Sequence, residues 1–390
     1  MDRLLKSVLP LVATVFAVLP GCEAQTVEFT SVPEGYIPGS IMLPEAFTGA
    51  LAIDPTNDNI LYASVGSFQD TKVARIELDS GNARIVANGP FGNIGGIAVL
   101  APDTLAFTNN FQTPGADPDN TILLASDENG DGDFNGEGEI RELIAPILEG
   151  GFGFTGVQVH VVPPGNPSNI PTGSLMVQTA DGIGESELLV VTDPLITPMY
   201  RPVSGPFFAG FDFNGGFDFD SRGRVVMGSA TVLDSINFII SGTVSLLDNL
   251  NGDEDIDPDE VFLLQSTDEL PNGKSDLTID GEDDVFCPTA GEVVTFRVPG
   301  NVKNLGPAPN TFATTTSGFL SAVLVNSKQR PFDPNSGPNG ATLIIGSGFG
   351  ESNLLTLRPQ GSADLNQDGG VDSIDLILFQ EQWRNGSGSR

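Results

Sequence analysis

Along most of this chain, apolar and polar residues alternate in short runs separated by Gly, Pro, Asn and Asp. "GALAIDPTNDNILYASV" (49–65) sets the pattern: a glycine, an alternating run, a polar turn, then a second run ending in small residues. A period of two is that of a β-strand, and the polar clusters mark the turns of hairpins. The layout returns in "GGIAVLAPDTLAFTNN" (95–110), "GFDFDSRGRVVMGSA" (216–230) and residues 318–348, and with a longer turn in 156–182. Further strands follow each hairpin, in 71–87, 120–144, 186–203, 242–264 and "SNLLTLRP" (352–359).

Four strands in about forty to fifty-five residues, repeated, is the arithmetic of a β-propeller. Five modules are plain, and "GEVVTFRVPGNVKNLG" (291–306) supplies half of another in the less regular stretch 266–317. The expected fold is all-β: a β-propeller of five to six four-stranded blades over 27–358, six favoured, with a small C-terminal calcium loop-helix unit. "VEFTSV" (27–32) is expected to close the ring against the last blade. A pair of β-sandwiches is the competing reading. The glycine-led hairpins are similar to NHL and gluconolactonase-like propellers. The latter resemblance implies a metal held by Glu, Asn and Asp in the central channel, with no residue of this chain matched to that set.

Composition narrows the function. Of 390 residues, 39% are hydrophobic, with 25 Phe, enough for a core and too many for a disordered chain. Against 51 Asp+Glu there are 17 Lys+Arg, a formal charge of −34. Such a surface repels phosphates, which excludes nucleic acid and anionic membrane as partners. It suits a soluble extracellular protein, or one whose carboxylates hold cations.

"MDRLLK", the apolar "SVLPLVATVFAVLP" and the small residues of "GCEAQT" form an export signal over 1–24. "LPGC" resembles a bacterial lipobox, which would end the signal at 21 and lipidate Cys22; cleavage after Ala24 is the alternative. The other cysteine is Cys287, so no internal disulfide is expected in the mature chain. The remaining divisions are a linker at 359–362, a distinct unit at 363–383 and a tail at 384–390.

That C-terminal unit carries the most specific chemistry. In "DLNQDGGVDSID", Asp364, Asn366 and Asp368 fall at positions 1, 3 and 5, with Gly369 at the sharp turn. Gly370 offers its carbonyl at 7, and Asp372 and Asp375 stand at 9 and 12. Alternating oxygens around a turn glycine match the six to eight oxygens that Ca²⁺ takes in an EF-hand loop. The run closely resembles the calcium repeat of type I dockerin modules, with "SIDLILFQEQW" as its helix. The resemblance implies docking to a cohesin-like partner, although dockerins carry two repeats and one is found here.

Two inner loops share the spacing. Asp127, Asn129, Asp131, Asp133 and Asn135 fall at positions 1, 3, 5, 7 and 9 of the first, where Gly138 is at 12 and Glu139 follows. In the second, Asn249, Asn251, Asp253, Asp255, Asp257 and Glu260 fall at 1, 3, 5, 7, 9 and 12, with Glu254 in place of the turn glycine. Each lies between two strand-like runs, so each is expected to be the loop of a hairpin. The plainer reading of all three loops is a solvated acidic turn. The irregular "SDLTIDGEDD" (275–284) is read as acid without a site.

Other motifs are set aside. "GFGFTG" (151–156) runs into the alternating "VQVHVV", where a dinucleotide fingerprint needs a helix N-terminus. His160 is the one histidine and reads as structural; no G-x-S-x-G occurs, and two cysteines cannot make a cysteine zinc site. The expected function is a secreted calcium-binding propeller, monomeric, acting as a binding or scaffold protein at the cell envelope or outside, with a carbohydrate or protein ligand. The competing class is an extracellular hydrolase or lactonase acting on carbohydrate-related substrates.

Overall fold

In the computed structural model the described residues are 26–360 and Ile377. Within 26–360 the segments 68–69, 111–120, 145–154, 181–185, 205–211, 235–238, 254, 266–275, 290, 302–307, 318–319, 331, 335, 337–339 and 348–349 are outside the description. Cys22 and the C-terminal motif residues Asp364, Asn366, Asp368, Gly370, Asp372 and Asp375 therefore also lie outside it.

Two N-terminal strands, β1 (Phe29–Ser31) and β2 (Tyr36–Met42), precede the first complete blade. Blade 1 is β3 (Phe47–Asp54), β4 (Asn57–Ser67), β5 (Asp70–Glu77) and β6 (Ala83–Phe91). Blade 2 is β7 (Ile97–Ala101), β8 (Thr104–Asn109), β9 (Thr121–Ser126) and β10 (Ile140–Ile144). Blade 3 is β11 (Thr155–Val161), β12 (Leu175–Ala180), β13 (Ser186–Thr192) and β14 (Met199–Pro202). Blade 4 is β15 (Asp212–Phe219), β16 (Val225–Asp234), β17 (Ile239–Leu247) and β18 (Val261–Gln265). Blade 5 is β19 (Thr278–Ile279), β20 (Asp284–Pro288), β21 (Glu292–Arg297) and β22 (Asn310–Thr315). Blade 6 takes β23 (Ala322–Val325), β24 (Leu343–Gly346) and β25 (Asn353–Pro359) from the end of the chain and β2 from its beginning.

Each blade is an antiparallel meander, and the first strands β3, β7, β11, β15, β19 and β23 follow one another around the axis until β23 meets β3. The fold is a six-bladed β-propeller. Six hydrophobic clusters fill the six interfaces between neighbouring blades. Strand periodicity feeds them alternately: Leu105 and Phe107 of β8 face blade 1, while Ala106 between them faces blade 3. Neighbouring sheets come close where a side chain is missing. A Cβ on Gly346 would run into the Phe47 ring, and one on Gly96 would lie 2.6 Å from the Val159 nitrogen.

Ring closure departs from the sequence expectation. "VEFTSV" does not close the last blade; its β1 pairs with β22 as a fifth, outermost strand of blade 5. The next segment, "YIPGSIM", closes blade 6 as β2, in unbroken register with β25 from Tyr36↔Pro359 to Met42↔Asn353. Asn353 ties both segments, its Oδ1 accepting the Val27 N–H and its Nδ2 donating to the Val27 carbonyl and to the Ser40 hydroxyl of β2, each at 2.9 Å. The stretch 266–317 contains a whole blade, hidden because β19 is only two residues long.

Turns between first and second strands reuse one device. Asp54 accepts the Thr56 N–H, Asp220 those of Arg222 and Arg224, and Asp280 those of Glu282 and Asp284. An Asp that bonds the backbone two residues on builds a tight turn locally. These turns lie on the face of the propeller that also carries the loops between third and fourth strands.

Candidate metal loops and the axial polar cluster

Both inner acidic loops connect the third and fourth strands of a blade: 127–139 joins β9 to β10, and 248–260 joins β17 to β18. Their internal plans correspond. The Asp127 carboxylate accepts the N–H groups of Gly130 at 2.6 Å and Gly132 at 2.8 Å. Asn249 accepts that of Gly252 at 2.6 Å. Asn129, Asp131 and Asp133 then each accept the N–H two residues on, as do Asn251 and Asp253.

The anchor in each loop is a buried glutamate. Glu139, 3% exposed, takes the N–H groups of Glu128 and Asn129 on Oε1 (3.2 Å each) and that of Gly136 on Oε2 (2.7 Å). Glu260, also 3% exposed, takes those of Leu250 (2.7 Å) and Asn251 (3.0 Å) on Oε1 and that of Asp257 (3.1 Å) on Oε2. Glu139 thus occupies the place of Glu260 although it stands one residue later in its loop. An apolar residue in each, Phe134 or Ile256, is buried and donates its N–H to the preceding blade, to the Val86 or Val203 carbonyl, both at 2.7 Å. An arginine on that blade's outer strand reaches back: Arg84 to the Gly132 carbonyl at 2.6 Å and Arg201 to Asp255 at 2.9 Å. Each loop therefore fastens two blades, 1 to 2 and 3 to 4. Asn135 joins the first, accepting the Asn88 N–H at 2.9 Å.

Hard oxygen donors are what the loops offer, the class that suits Ca²⁺. In the folded loops these oxygens accept backbone N–H groups, and among the described residues no three His, Cys, Asp or Glu side chains form a group suited to a metal. The loops still carry unneutralised charge. Desolvation, then the charges of Asp253, Glu260, Asp259 and Asp255, push the Asp257 carboxyl above its ordinary range.

A second polar group, unexpected from the sequence, gathers at the axis. Asp218, near the end of β15, accepts the Ile279 N–H (2.9 Å) and Thr278 hydroxyl (3.3 Å) from blade 5, and Lys328 Nζ (2.5 Å) from blade 6. Asp276, just before β19, accepts N–H groups from Val323 of blade 6 (3.1 Å) and from Leu277 (2.8 Å). It also accepts Gln158 Nε2 of blade 3 at 2.7 Å. Two aspartates thus tie the inner strands of four blades together. Gly216 makes room for this: with φ +68°, it has no Cβ where one would lie 2.5 Å from Asp276 Oδ1.

Electrostatics separates the members of this cluster. Burial pushes the Asp276 carboxyl up to about 8 against its N–H donors, and the charge of Asp218 adds to the rise. Burial also acts on Asp218, but Lys328 and His160 outweigh it and hold that carboxyl below its ordinary value. Burial pulls His160 down to about 4, so its imidazole is neutral at physiological pH, with its ring edge-on to Phe217 at 4.8 Å. The only sequence signal for Asp218 was its place two residues before a turn aspartate. Asp276 belongs to "SDLTIDGEDD", which the sequence reading set aside.

No family model and no curated protein sequence matches the chain. Solved structures do, at the level of fold. A glucose dehydrogenase-type oxidoreductase of Thermus thermophilus aligns at TM-score 0.52 and 13% identity, over 83% of this chain and all of that one. The PQQ-bound aldose sugar dehydrogenase of Streptomyces coelicolor aligns at 0.50 and 14%, over 84% and 99%. A protein assigned as a gluconolactonase aligns at 0.50 and 12%, over 85% and 97%.

Proposed function

We propose that this is a secreted calcium-binding β-propeller that presents a binding surface at the cell envelope or outside it. It is tethered through the C-terminal dockerin-like repeat (Asp364, Asn366, Asp368, Gly370, Asp372, Asp375) to a cohesin-like partner, or through a lipid on Cys22. The observation that carries the calcium assignment is the repeated plan of 127–139 and 248–260: in two blades, a loop of alternating carboxylates and amides has its backbone N–H groups gathered by a buried glutamate at the same place. A divalent ion drawn into either loop would replace N–H partners of the side-chain oxygens, and in the second loop it would offset the neighbouring charges that, after desolvation, raise Asp257. Bound calcium would also stiffen the joints between blades 1 and 2 and between blades 3 and 4, raising stability with free ion concentration.

Calorimetric titration of residues 25–390 and of a chain ending at Gly361 tests this. The expected result is about three calcium ions for the first and about two for the second, from the loop count. One ion, lost on truncation, would reduce the inner loops to solvated turns.

The axial cluster favours a second reading. A buried carboxyl that keeps its proton beside an ionised one is the pairing that acid–base chemistry uses. An extracellular hydrolase or lactonase acting on carbohydrate-related substrates would place such a pair in its channel, and the fold it shares with sugar dehydrogenase and gluconolactonase structures accommodates that. Hydrolysis of sugar lactones, abolished in Asp218→Asn, would support this reading; no turnover of lactones or glycosides by the purified protein would remove it.

A further inference from the structure

Gln178 of β12 is fully buried, and among the described residues neither its Nε2 nor its Oε1 has a hydrogen-bond partner. Nε2 of His160 is also buried and has no partner among the described residues. In the β11–β12 register Gln158 lies opposite Gln178 and His160 opposite Met176. Gln178 and His160 are therefore diagonal neighbours on one face of the sheet, about 7–8 Å apart at the backbone. That face packs on blade 4, through Met176, Leu188, Val190 and Phe217. Gln158 does not relieve Gln178, because its amide group is turned to Asp276.

A buried carboxamide without partners costs as much as or more than a lost hydrogen bond, so native interiors fill such places. The atoms present specify the occupant. An amide NH₂ disfavours a cation and the amide oxygen disfavours an anion, whereas a neutral molecule that both donates and accepts satisfies both. The neutral imidazole adds one more hydrogen-bonding nitrogen. With Gln178 closed off from solvent, water is the molecule of that class that fits, and it needs two to four polar partners. We propose that the interface of blades 3 and 4 holds an ordered water bound by Gln178 and His160 as a permanent part of the structure.

Two measurements test the site. In a high-resolution crystal structure of the unaltered protein, density within hydrogen-bond distance of both the Gln178 amide and His160 Nε2 is expected; its absence overturns the proposal. In denaturant unfolding, Gln178→Met is expected to lower the midpoint, because the amide it removes is satisfied through the water. A raised midpoint would show a dry, unpartnered amide and overturn it. If Gln178→Met does not fold, the crystallographic result decides.

Discussion

Burial of Asp276 is expected to make stability fall as pH rises between about 4 and 8. Its carboxyl has an ordinary value of 3.8 and is raised to about 8 in the folded protein by burial. The folded state therefore holds a proton that the unfolded chain has already released. The stability linked to that proton is complete below about 4 and is lost progressively as pH rises to about 8, at roughly 1.4 kcal/mol per unit. Two neighbours complicate the acid end. His160, lowered to about 4, gives the opposite slope between about 4 and its ordinary 6.5, and Asp280, raised to about 6 by burial, adds to the slope of Asp276 below about 6. From pH 6.5 to 8 Asp276 acts alone among these, and the expected loss is about 2 kcal/mol. Urea unfolding at pH 6.5, 7.0, 7.5 and 8.0, with calcium held in excess, measures it. Asp276→Asn keeps an acceptor for Gln158 and Leu277 but turns an NH₂ toward the Val323 N–H, so it should be less stable at pH 6.5, by about 1–3 kcal/mol. Its profile should be flat to pH 8. Parallel profiles for the two proteins would refute the reasoning.

Because His160 is the one histidine, its imidazole NMR signals are unambiguous, and they should titrate near pH 4 rather than 6.5. Replacing Glu260 by Ala strips one acceptor from three N–H groups; in calorimetry it should remove one calcium ion, and in urea with chelator it should cost about 1–3 kcal/mol. Gly346→Ala should lower stability by about 1–3 kcal/mol, measured by the same unfolding curves, because the new methyl meets the buried Phe47 ring.

How much the sequence revealed follows from what each feature depends on. Blades with two long hairpins, such as β3–β6, were legible because their apolar and alternating runs are long enough to mark strands and are bounded by polar turns in the local sequence. Blade 5 was legible only in its second half, since the two residues of β19 are too few for a period and its acidic turn hides the first. The partner of β1 was misjudged because pairing across the whole chain leaves no local trace. The inner loops stood out by spacing, and the equivalence of Glu139 with Glu260 was obscured by one inserted residue. Asp218 and Asp276 were invisible for another reason: in a chain with 51 acids an aspartate carries little information until its neighbours are known.

The seam formed by β1 and β2 has a consequence for how the protein is made. Val27 bonds to Asn353, 326 residues further along the chain. β1 and β2 thus emerge long before their partners β22 and β25, and the outer edges of blades 5 and 6 stay open until these pairs form. Contacts so distant in sequence slow folding, and open strand edges invite association with other chains. Once the seam has closed, neither end of the ring can peel away without breaking strands contributed by both ends of the chain. The arrangement exchanges a slow, exposed assembly for a finished ring that resists unravelling from its termini.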